Sequence, residues 1–261
     1  MKHLQVIHNE KCLSLQPVKK VEIYSFFDPF CKDCWELKAV LRKLQIEYSQ
    51  YVEIKQILLP TLRVLTKCQA QSTTEDDNIA LAYKAAELQG RKKAGMFLRF
   101  VQNEIMPKQD IITRELIMDC AQKARLDIET FQTDIKSVHV TNSLKVDQHI
   151  SREMEVTMSP TLVFFNENFE DDGLKVEGIQ QYAIYTYIIN EMISHTIEKE
   201  LPPKIDEYII ENELVSESEL EIIYEWPKNV LSRELKKLKL MNKIEAVTYH
   251  TGQYWRKKEA M

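Results

Sequence analysis

Residues 21–41 read VEIYSFFDPFCKDCWELKAVL. The opening VEIYSFF is β-branched and aromatic with no helical period, which predicts a strand. Asp28-Pro29 breaks it. From Cys34 onward Trp35, Leu37, Val40, Leu41, Leu44 and Ile46 recur at helical spacing, and Lys38, Arg42 and Lys43 are expected to face outward. Cys31 and Cys34 thus fall at a strand-to-helix turn. There the free N–H groups and the positive end of the helix stabilise a thiolate on Cys31, and Cys34, one turn further in, would be the resolving thiol. Such a pair can be a redox dithiol, a metal clamp, or a remnant on a scaffold used for something else.

The surroundings narrow the choice of fold. YVEIKQILL (51–59) predicts a second strand ended by Pro60, closing a β-α-β unit. Residues 78 to about 156 read as helices: one capped by Asn78 and ended by Gly90, one halted before Pro107, one starting at Thr113, and two more. TMSPTLVFFN (157–166) then gives a Ser-Pro followed by an apolar strand, EDDGLKVEG (170–178) a turn and a possible edge strand, and QQYAIYTYIINEMISHTI (180–197) an amphipathic helix. In that helix Tyr182, Tyr185 and Tyr187 are expected to pack on the sheet with their hydroxyls at its rim. The order β-α-β, helices, β-β-α is the thioredoxin topology with a helical insertion. Pro160 sits where such folds place a cis-proline loop against the dithiol.

The totals constrain function. The chain has 261 residues, 44% apolar and 29% charged, with five glycines and eight prolines, which fits a helix-rich protein with a sizeable core. A formal net charge of −5 gives no whole-protein case for nucleic acid or anionic membrane. The N-terminal MKHLQVIHNEKCLSLQPVKK lacks the apolar centre of a secretory signal, and no stretch approaches a membrane span. The expected compartment is therefore the cytoplasm, where thiols stay reduced. Cys12, Cys31, Cys34, Cys68 and Cys120 form an odd, scattered set, a poor disulfide framework.

EKELPPKIDE (198–207) reads as a linker. The remainder reads as three short helices and a terminal hairpin turning near Thr251-Gly252, a winged-helix pattern. The expected division is a flexible leader at 1–17, a thioredoxin-fold domain at 18–200 with its insertion at about 76–156, and a small domain at 201–261. From Trp226 onward nine Lys/Arg stand against three Glu, whereas residues 197–225 are acidic. Lys228, Arg233, Lys236, Lys237 and Lys239 could touch phosphates. The alternating Leu231, Leu235, Leu238 and Leu240 instead suggest a core-sealing helix with a solvated charged face, so a protein-contact module is favoured over a nucleic-acid binder.

VEIYSFFDPFCKDCW (21–35), ALAYKAAELQGRKKAG (80–95), SLKVDQHISREMEVTMSPTLVFFN (143–166), DDGLKVEG (171–178) and YEWPKNVLSRELKKLKLMNKIE (224–245) together resemble the SpxH family, also called YjbH. The likeness covers nearly the whole chain, and its long middle stretches are more specific than the cysteines. It implies a DsbA-like thioredoxin fold and a non-enzymatic adapter that binds the transcription factor Spx for degradation by ClpXP, with ClpX a possible direct partner. It implies no cofactor. It places Cys31 and Cys34 at the family's dithiol and Pro160 at its cis-proline. Relatives with histidine-rich leaders suggest zinc, for which His3, His8 and Cys12 are a thin ligand set, short of the usual four. Neither membrane nor nucleic acid is an expected partner, and the partner-binding surface is not legible. The rival reading is a cytosolic DsbA-like thiol-disulfide oxidoreductase using Cys31 and Cys34.

Overall fold

Strand β1 (Val21–Phe27) carries apolar side chains on both sides and is buried most fully toward its C-terminal end. In the computed structural model, which describes residues 20–59, 78–108, 113–168, 172–193 and 197–258, Val21 and Ile23 enter one apolar cluster and Phe26 another. β1 pairs in parallel with β2 (Val52–Leu58) and antiparallel with β3 (Thr161–Phe165), which pairs antiparallel with β4 (Leu174–Glu177). The sheet order is β2-β1-β3-β4. β4 is an edge strand, as expected.

Helix α1 (Lys32–Glu47) starts at an N-cap on Cys31 and lays Leu37, Leu41 and Leu44 on the sheet. Helix α7 (Tyr182–Met192) packs on the same side through Tyr185, Ile188 and Ile189. Tyr185 is fully buried rather than at the rim; its ring stacks near Phe164, and its hydroxyl accepts the Gln180 N–H at 2.7 Å. Tyr182 does reach the edge, donating to Glu47 at 2.8 Å, and Tyr187 stays exposed. Lys43 does not face outward. It is buried and pairs with Glu47 and Glu225, because α1 is covered on that side by the C-terminal unit. Lys38 and Arg42 are half-buried, and Lys38 donates to the Gly95 carbonyl at 3.4 Å.

The insertion comprises α2 (Ile79–Leu88), α3 (Arg91–Lys108), α4 (Arg114–Lys123), α5 (Ile128–Ile135) and α6 (Val138–Glu153). Asn78, Thr113, Asp127 and Ser137 cap four of these with side-chain oxygens that accept free backbone N–H groups. Gly90, at φ +117°, makes the turn between α2 and α3 that a side chain would strain. α3 runs through Pro107 instead of stopping before it. Proline's missing N–H removes only one bond in that last turn. A buried acid fastens the insertion to the sheet: Asp147 on α6 accepts the Leu58 N–H at 2.9 Å and pairs with Lys84 of α2 at 2.9 Å.

Beyond the linker come α8 (Ile205–Asn212), β5 (Leu214–Ser216), α9 (Glu217–Tyr224), α10 (Lys228–Leu240) and the hairpin β6 (Ile244–Tyr249) and β7 (Gly252–Lys257). The three helices and the hairpin match expectation. β5 was not expected; it adds antiparallel to β7 in a sheet of order β5-β7-β6. Leu231, Leu235 and Leu238 seal this small core, but Leu240 is 84% exposed because, two residues after Leu238, it falls on the opposite face of α10. The unit does not stand apart. Leu214 and Tyr254 belong to the same apolar cluster as Phe30, Cys34 and the insertion helices.

Candidate functional site

The loop between β1 and α1 is shaped by Asp28, a buried side chain that composition alone did not single out. Its carboxylate accepts the Phe30 N–H at 2.7 Å, and its carbonyl accepts the Cys31 N–H at 3.0 Å. Gln102 of α3 donates to the Pro29 carbonyl at 3.4 Å, bracing the loop from the insertion side. This fixed turn presents Cys31 half-buried at the mouth and Cys34 buried behind it. An Asp-Pro pair just after a strand is the sequence signal for such a turn.

Both sulfurs are free thiols with opposite environments. Cys31 has extended backbone (φ −82°, ψ 117°), and its Sγ accepts the Cys34 N–H at 3.2 Å, the arrangement of an N-cap. Its pKa is brought down to about 7. The hydrogen bond from the Cys34 side chain lowers it most, the Cys34 backbone N–H and a side-chain hydrogen bond from Ser159 add to that, and burial and the Asp28 charge oppose. Cys34 is pushed far up by its hydrogen bond to Cys31 and by burial. A thiolate therefore gathers on the outer sulfur and a proton stays on the inner one, which is the division of labour a nucleophile and a resolving thiol need.

The loop before β3 closes the site. The Ser159–Pro160 bond is cis, and the Cys31 thiol lies 3.7 Å from the Ser159 carbonyl, to which it donates when protonated. The Pro160 carbonyl accepts the Gly178 N–H at 2.8 Å, and Thr161 Oγ1 donates to the Met158 carbonyl at 2.8 Å, so the loop is tied at both ends. Cys31, Cys34 and Pro160 are thus brought together although the whole insertion separates them in the chain. Met158, 44% exposed, adds an apolar lip. Beside it β4 leaves one edge without a strand partner among the described residues.

The other singled-out residues lie elsewhere. Cys120 is buried in the insertion core, and its thiol is pushed up to about 12 by burial. His3, His8 and Cys12, and also Cys68, lie outside the described residues. The cations Lys228, Arg233, Lys236, Lys237 and Lys239 line the exposed side of α10, remote in sequence from the dithiol. Among the described residues no helix is long and apolar enough to cross a membrane.

Comparison with known proteins agrees with this geometry. The thioredoxin family model matches residues 24–187. The α-DsbA1 of Wolbachia pipientis has a similar structure, with a TM-score of 0.52 and 13% identity, covering 69% of this chain and 88% of its own. The disulfide oxidoreductase DsbA of Proteus mirabilis is similar at a TM-score of 0.50 and 16% identity, covering 71% and 93%. In sequence, the ClpXP adapter protein SpxH of Staphylococcus aureus (strain MRSA252) is 55% identical over 257 residues, 98% of this chain and 96% of its own. With a thioredoxin-like fold and 55% identity to that adapter over 98% of its own length, this chain belongs to the SpxH family.

Proposed function

We propose that this protein is a ClpXP adapter that binds the transcription factor Spx in the cytoplasm and delivers it for degradation. One observation carries the reading: the 55% identity to adapters extends over 98% of the chain. The DsbA structures account for only 69–71% of it. What this chain has beyond an oxidoreductase fold, it shares with adapters. An adapter needs no acid or base, only a surface that raises its substrate's local concentration at the protease. The cis-proline loop, Met158 and the free edge of β4 form a face suited to an extended peptide or a sheet edge. On this reading the thioredoxin-fold part is residues 18–200 and the winged-helix-like part 201–261, and ClpX is a further direct contact.

Reconstituted degradation tests it. Purified ClpXP should degrade Spx several-fold faster with the protein present than without. No acceleration would end the adapter reading.

A second reading, thiol-disulfide oxidoreductase, is favoured by the low pKa of Cys31 beside the protonated Cys34. The two separate cleanly. A variant with Cys31→Ser and Cys34→Ser should still capture Spx and speed its degradation, whereas an oxidoreductase would lose all activity in insulin reduction.

A further inference from the structure

Helix α10 uses its apolar stripe, Leu231, Leu235 and Leu238, to seal the C-terminal core. Its opposite side has no such employment. Arg233, Lys236 and Leu240 stand three and four residues apart and so share a face, with Lys239 beside them. Neighbouring cations are neutralised within the chain: Lys228 by Glu221, Lys237 by Glu234, Lys243 by Asp206 and Arg256 by Glu245. Arg233, Lys236 and Lys239 have no carboxylate partner among the described residues. At the end of this face Leu240 is 84% exposed and Met241 53% exposed. Two adjacent exposed apolar side chains at the end of a cationic helix face combine the apolar and charged chemistry of an interaction site.

We propose that this end of α10 docks an acidic segment of a partner protein that carries apolar anchor residues. Charge complementarity selects the occupant. Carboxylates on the segment meet Arg233, Lys236 and Lys239, while its apolar residue covers Leu240 and Met241 and excludes water around the ion pairs. A nucleic-acid backbone would engage the cations but leave both apolar side chains uncovered. A bilayer surface needs an apolar helix face to insert, and that of α10 is already committed to the core. The surface is independent of whatever the thioredoxin-fold part holds.

The test uses the full-length protein and a fluorescent helix-forming peptide with leucines on one face and glutamates on the other. Fluorescence anisotropy should show saturable binding that weakens with added salt. Paired Lys236→Glu and Lys239→Glu substitutions should weaken binding at least tenfold, and so should paired Leu240→Gln and Met241→Gln. All four positions are exposed, so melting temperatures should not move; a variant that melts early is replaced by the corresponding alanine pair. The proposal is overturned if the peptide does not bind or if an all-glutamate peptide binds equally well. It is also overturned if phosphatidylglycerol vesicles or random duplex DNA bind more tightly at matched salt. Salt-sensitive self-association abolished by the same substitutions would assign the face to a second copy and overturn it too.

Discussion

Cys31 owes its acidity to one neighbour more than to the fold at large. The principal cause is the hydrogen bond from Cys34, so the two sulfurs cannot be tuned separately. Alkylation of Cys31 by iodoacetamide should rise with pH through a midpoint near 7. Cys34→Ala should move that midpoint upward toward the ordinary thiol value, and mass spectrometry after timed quenching reads both. Lys38 makes a similar point for stability. Burial, then Arg99 and Arg42, bring its pKa down to about 7, with Glu219 opposing. Unfolded, the amine keeps its proton up to about 10.5, so between those values the unfolded chain binds more protons and stability rises with pH. Below pH 7 the full penalty of a charged Lys38 applies. Lys38→Met should therefore stabilise the protein most at and below pH 7 and flatten the slope of urea-denaturation stability above it. The spacing of α1 did not reveal this, because the groups that meet Lys38, Gly95 and Arg99 of the insertion and Glu219 of the C-terminal unit, come from distant parts of the chain.

Secondary structure was legible where local chemistry decides it. Asn78 is such a case: its side chain accepts the N–H groups of Ala80 at 2.9 Å and Leu81 at 3.3 Å, and α2 behind it is buried along most of its length. Asn78→Ala should cost about 1 kcal/mol in chemical denaturation, with the fold retained. The misreadings have a common cause. β5 is three residues long and exists only because β7 pairs with it, so no local pattern announces it. Leu240 reads as part of the α10 stripe, but two residues after Leu238 it lies on the opposite face of the helix, which no partner element covers among the described residues. Lys43 reads as a solvent residue until Glu225 arrives from the C-terminal unit. The dithiol turn, by contrast, could be placed from VEIYSFFDPFCKDC and SPT alone, since a strand, a breaker, a helix start and the proline are all local signals. The bracing from Asp28 and Gln102 was invisible, because it depends on where side chains meet.

At the scale of the molecule, the C-terminal unit is joined to the insertion by buried polar contacts as well as by apolar packing. Arg99 of α3 pairs with Glu219 of α9 at 2.8 Å and donates to the Leu214 carbonyl, while Tyr208 donates to Glu219 at 2.6 Å. Both members of the ion pair are 8% exposed, so removing one strands the other. Glu219→Ala should cost about 3–5 kcal/mol, and Arg99→Met with Glu219→Leu should recover most of that loss. Hydrogen exchange should then find α9 and β5 opening first in the single variant. The terminal hairpin reaches deeper still: Tyr254 donates to Asn103 at 2.7 Å, next to the Gln102 that supports the Cys31 loop. A fragment cut at the linker would not be a smaller version of this protein. It would carry a raw apolar scar across its insertion, with Asn103 left facing solvent, and its sulfur chemistry would be that of a wounded scaffold, so redox behaviour measured on such a truncation would not transfer to the intact chain.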